Sequence, residues 1–107
     1  MVHLVVRYAG GFEKVKGLIG SDVAEAILIK TRFGIHTFGL QFPIDIIVLD
    51  KHGIVQVIKH SFHPNGIFLW PIKYDRVLEL PEGMIREKGI KKGEKITITL
   101  KQSAIVS

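Results

Sequence analysis

The chain has 107 residues, no cysteine and a formal charge of +5, with 47% apolar and 23% charged side chains. These values fit one folded domain over 1–107 and exclude disulfides, thiolate metal centres, cysteine nucleophiles and a disordered tail. No apolar run approaches the roughly 18–20 residues that cross a bilayer, so a membrane span is excluded. The N-terminus lacks a basic leader region and breaks its apolar pattern at Arg7, which reads as a first strand and gives an expected cytoplasmic address. Isoleucine and lysine are common while asparagine and methionine are scarce, a bias that fits a protein of high working temperature.

The charge is unevenly placed. Residues 1–50 carry five basic and five acidic side chains, and residues 51–107 carry ten and five. The excess gathers at Arg86, Lys88, Lys91, Lys92 and Lys95. Glu82, Glu87 and Glu94 interleave that cluster and no aromatic lies within it, so it reads as a solvated face before it reads as a nucleic-acid contact.

In chain order, Val2, Leu4, Val6 and Tyr8 alternate with His3, Val5 and Arg7, the period of a half-buried strand. Ala9-Gly10-Gly11 then predicts a tight turn with Phe12–Lys16 as a return strand. Gly17–Gly20 punctuates the chain, and Asp22 with Glu25 has the spacing of a capping box. Ala26–Thr31 reads as a buried strand. Ile44–Leu49 and Ile54–His60 flank Asp50-Lys51-His52-Gly53 as a hairpin, and His63-Pro64-Asn65-Gly66 is a second turn. Ile67–Ile72, broken by Pro71, is expected to lie over the core as an edge segment held by Trp70. Arg76–Leu80 ends at Pro81, Gly83–Lys88 makes a helical turn stopped by Gly89, and Ile96–Leu100 alternates as a last strand. The fold class expected is mainly β, a small antiparallel barrel-like or sandwich domain with one or two short helical turns.

The chemistry concentrates in Ile35–Asp50. His36, Thr37, Gln41 and Asp45 stand among Phe38, Leu40, Phe42 and Ile44, and Asp45 interrupts an otherwise apolar strand. An unpartnered buried carboxylate costs on the order of 3–5 kcal/mol, so the fold must satisfy Asp45 or function must need it.

Certain residues carry a family resemblance. His36-Thr37-Phe38-Gly39, then Phe42-Pro43-Ile44-Asp45 and an apolar strand closing on Asp50 with Gly53 in the turn, resemble the prokaryotic domain-of-unknown-function family one hundred and ninety-two. Val77–Pro81 with Gly83, Gly89-Ile90 and Gly93-Glu94 match its closing block, and Gly17-Leu18 its early turn. Leu40, Gln41 and Ile19 depart from the common pattern. The resemblance implies a compact, largely β domain without an established activity, and it assigns no catalytic residue.

Asp45 and Glu79 are the two acids in apolar strand context, with His36, Arg32 and Arg76 as candidate partners. Either they form an acid–base group, Asp45 with His36 or Glu79 in a hydrolytic site, or they are structural acceptors, the reading favoured here. His36, Thr37, Gln41, Asp45 and Trp70 are the candidate ligand-binding residues, beside Phe38, Phe42 and Phe68, and the competing reading makes these aromatics plain core. His60 and His63, joined by His36 or His52, have no helix to put two imidazoles on one face, so no metal is expected and no cofactor either. Ser21, Ser61, Ser103 and Ser107 occupy no nucleophile elbow. The function expected is a binding or accessory module, its partner a small molecule or a protein before a nucleic acid.

Overall fold

The structure, a computed structural model, describes residues 2–9 and 26–101. Eight strands and one helix occur in them: β1 (Val2–Ala9), β2 (Ala26–Lys30), β3 (Gly34–His36), β4 (Ile44–Leu49), β5 (Val55–Phe62), β6 (Ile67–Leu69), β7 (Arg76–Pro81), α1 (Met84–Lys88) and β8 (Ile96–Leu100). Six strands form one mixed sheet in the order β5-β4-β7-β2-β1-β8, and β3 pairs with β6 in a separate ribbon.

The central strands are those whose side chains are apolar on both faces. β4 is buried at all six positions, which explains why its sequence runs IDIIVL without polar alternation. On one face Val6, Ile47, Leu49, Leu78 and Leu80 pack under Ile85 of α1 and Ile90. On the other, Ile27, Ile29, Ile44, Ile46, Val48 and Val77 pack under Phe62, Trp70 and the inward side of the ribbon, Ile35 and Phe68. Gly89 stops α1 at φ 65°, a left-handed conformation glycine adopts without steric cost.

The mainly β expectation holds, as do β2, β4, β7, α1 and β8 and the two turns. The sheet is not a closed barrel. Its two edges, β5 and β8, approach at one end, where Ile54 bridges Lys95, Val55 N–H donates to Glu94 O at 2.9 Å, Gly93 N–H to Val55 O at 2.8 Å and Ile96 N–H to Gly53 O at 2.9 Å. The sheet therefore curls shut at one corner, around the Ile47–Leu78 core, and the architecture is sandwich-like. Nor is it wholly antiparallel: β1 runs parallel to both β2 and β8. Parallel strands need a crossover of about a dozen residues or more, a length available between Ala9 and Ala26 and again between β1 and the end of the chain. The expected Phe12–Lys16 strand, Gly17–Gly20 turn and Asp22–Glu25 cap lie outside the described residues. β3 is an addition, too short for its period to show in sequence.

Candidate functional site

Asp45 is fully buried and its partners are backbone amides. Between β4 and β5 the register passes from Ile44–Phe62 to Ile46–Lys59, so β5 carries one extra residue opposite Asp45. That bulge takes Ser61, at φ 49°, out of the regular ladder. Ser61 N–H donates instead to Asp45 Oδ1 at 2.9 Å, while Gly83 and Ile85 N–H donate to Oδ2 at 3.1 and 3.0 Å. The carboxylate thus supplies the cap that α1 lacks from its own Gly83, at the positive end of the helix, and it completes the bulge.

Glu79 is 3% exposed and lies on the opposite face from Asp45, between Ile27 and Ile46 on the flanking strands. Burial raises its pKa to about 7. No hydrogen-bond or ion-pair partner reaches it among the described residues. Neither acid meets His36, which is exposed on β3, so the Asp45–His36 and Asp45–Glu79 pairs envisaged for hydrolysis are not assembled. Arg32 and Arg76 bind elsewhere: Arg32 Nη1 donates to Ile72 O at 2.8 Å and its Nη2 lies 3.8 Å from Asp75, while Arg76 Nη1 donates to Lys51 O at 3.3 Å.

Thr37 is a structural hub. Its hydroxyl accepts from Gly66 N–H and donates to His63 O, both at 2.9 Å, and its backbone N–H donates to Gly66 O at 2.9 Å. Trp70 is buried, with its indole N–H donating to Tyr74 O at 2.8 Å. Gln41 is exposed on the loop before Pro43. Among the described residues no three His, Asp or Glu side chains gather at a point that could hold a metal ion.

Of the candidate ligand-binding residues, His36 reaches an open concavity, with Phe38 beside it. The outer face of the β3–β6 ribbon forms an apolar groove of about 350 Å³, walled by Phe33, Phe38, Ile67 and Leu69 with His36 among them. Leu69 is 69% exposed, Phe33 and Ile67 61% each, which is unusual for clustered large apolar side chains. His36 and Phe38 stack with ring centroids 4.8 Å apart, and Phe38 N–H donates to His36 Nδ1 at 3.3 Å. In the neutral ring this leaves the Nε2 N–H as the donor. Phe33 sits at φ 76°, with Gly34 N–H donating to Arg32 O at 2.9 Å, a γ-turn of the rare positive-φ kind. Trp70 N–H, donating to Phe33 O at 2.7 Å, holds that turn against the ribbon.

Phe33, Ile67 and Leu69 were not among the sequence candidates. A signal existed: Ile67–Trp70 is an unbroken apolar run in extended chain after a Pro-Asn-Gly turn, and period-two geometry sends alternate residues outward. Phe68 and Trp70 turn in; Ile67 and Leu69 turn out.

Fold and groove together define a small mixed-β sandwich domain carrying an outward-facing apolar groove. The chain belongs to the family DUF192, described as an uncharacterised ACR, whose pattern it matches over residues 11–98. No curated protein matches it. Two crystal structures share the fold. A protein of unknown function from Novosphingobium aromaticivorans DSM 12444 is 22% identical with a TM-score of 0.71, covering 82% of this chain and 70% of that one. A protein from Sinorhizobium meliloti 1021, provisionally described as a transcription regulator, is 18% identical with a TM-score of 0.75, covering 84% and 78%.

Proposed function

We propose that the protein is a binding module whose ligand is a small apolar, ring-bearing organic molecule taken up in the β3–β6 groove. The observation that carries this reading is the outward Phe33–Phe38–Ile67–Leu69 cluster around one imidazole. Its volume, about 350 Å³, matches small-ligand pockets, which combine apolar walls with few polar groups. The positive φ of Phe33 adds support, because strain at a bulky exposed residue persists where the surrounding structure imposes it, commonly at ligand sites. A cytoplasmic location, in keeping with the absence of cysteine, belongs to the same proposal.

The test is titration with 2-naphthol, an uncharged probe, followed by amide chemical shifts. Saturable shifts confined to Phe33–Phe38 and Ile67–Leu69, lost in Leu69→Asp, are expected. Shifts that are absent, or that survive in Leu69→Asp, overturn the reading.

A further inference from the structure

A second concavity, of about 580 Å³, opens at the end of the curled sheet away from α1. β7 enters it at Arg76 and leaves the far end at Pro81, just before the helix. Its floor is apolar, made by Leu28, Leu49 and Ile96, and Tyr8, 45% exposed, stands at its wall. Its charged side chains are of one sign, Lys30, Lys51, Arg76 and Lys95, with the His52 ring beside them. No carboxylate lines it among the described residues. The nearby acids are engaged elsewhere, Asp50 on the amides of its own turn and Asp75 with Arg32.

Two features distinguish this cleft from a scatter of surface lysines. Lys30 and Arg76 are direct cross-strand partners between β2 and β7, and both side chains line the cleft. Like charges directly opposite in a sheet are unfavourable, and a counter-charge between them offsets that cost. The cations are also held in place, because Arg76 Nη1 donates to Lys51 O and Lys95 Nζ to His52 O. Those bonds tie them to the turn that forms the rim.

We infer that the cleft binds a small organic phosphate bearing at least two negative charges and a planar ring. A carboxylate would neutralise one cation of four, whereas a di- or triphosphate spans several. A guanidinium fork beside lysine point charges suits phosphate oxygens. The apolar floor and the Tyr8 ring receive the ring of the ligand, in keeping with small-ligand sites that join apolar walls to a few polar groups. This inference is independent of the groove, which lies on the ribbon across the sheet.

The experiment is calorimetric titration of the full chain with ATP, inorganic pyrophosphate and adenosine, for the parent and for Lys30→Gln, Arg76→Gln and Lys91→Gln. ATP is expected to bind at a single site, more tightly than pyrophosphate and far more tightly than adenosine. Lys30→Gln and Arg76→Gln should each weaken ATP at least tenfold, and Lys91→Gln, outside the cleft, should leave it unchanged. With the repulsion relieved, ligand-free Lys30→Gln should melt no lower than the parent, which separates a lost site from a lost fold. The inference is overturned if ATP does not bind, if all three variants weaken it equally, or if single-stranded DNA binds where ATP does not.

Discussion

Asp45 and Glu79 lie on neighbouring central strands, one residue out of register, and their carboxyls leave the sheet on opposite faces. Asp45 faces Leu80 across β4–β7 and is satisfied by three amides; Glu79 faces Ile46 and is only desolvated. Two buried acids that look alike in sequence should therefore answer mutation in opposite ways.

Asp45→Ala leaves the amides of Ser61, Gly83 and Ile85 without their acceptor. Stability should fall by about 3 kcal/mol in urea unfolding, and Asp45→Asn, which keeps one acceptor oxygen, should lose less. Native-state hydrogen exchange at Ser61, Gly83 and Ile85 should accelerate selectively in both variants. An Asp45→Ala protein within 1 kcal/mol of the parent contradicts the anchoring role.

Glu79 carries the opposite sign. Its pKa rises from 4.5 to about 7 on folding, so between those values the folded chain holds a proton that the unfolded chain has released. The stability this proton confers is complete below pH 4.5, declines through the interval and is gone above about pH 7, a total of about 3 kcal/mol. Glu79→Gln, neutral throughout, should flatten that part of the stability profile and exceed the parent at pH 8. A parent profile that is flat from pH 4.5 to 7 refutes the assignment.

The β4–β5 turn offers a third test. Asp50 accepts from His52 and Ile54 N–H at 2.8 and 3.0 Å and from Gln56 Nε2 at 2.9 Å, and Gly53 takes φ 81°. Asp50→Ala should cost about 1–2 kcal/mol through the lost turn bonds. Gly53→Ala should cost about 1 kcal/mol from the left-handed backbone, with its Cβ 3.1 Å from Ile96 O adding to the strain. Thermal melts of the two variants read both.

Phe33 links stability to the proposed groove. Replacing it by glycine relieves the positive-φ backbone and removes an exposed ring, so Phe33→Gly should be as stable as the parent or better by up to about 1 kcal/mol. The same variant should bind 2-naphthol at least tenfold more weakly. A destabilised variant with unchanged binding is the contrary result.

Gly34 tests the ribbon beneath. A Cβ there would stand 2.6 Å from Leu69 Cδ2 and closer still to Phe68 O, a backbone atom that cannot step aside. Gly34→Ala should cost about 1–3 kcal/mol by overpacking and distort the groove. Equal melting temperatures for variant and parent would show that the β3–β6 pairing yields.

What the sequence determined by itself is local. Asp50 and Gly53 impose their turn, Pro64-Asn65-Gly66 imposes another, Gly89 ends the helix, and the apolar density of Ile44–Leu49 requires a strand buried on both faces. These are consequences of backbone sterics and of water's exclusion of apolar side chains, which act over a few residues. Long-range pairing is another matter. Only the tertiary structure set β1 parallel to β2 and β8, brought the Ser61 bulge and the α1 amides to Asp45, and turned Ile67 and Leu69 outward while Phe68 and Trp70 turned in. It also placed Lys30 opposite Arg76, forty-six positions apart in the chain. Such contacts depend on which strands become neighbours and in what register, and a shift of one residue would send each of these side chains to the other face.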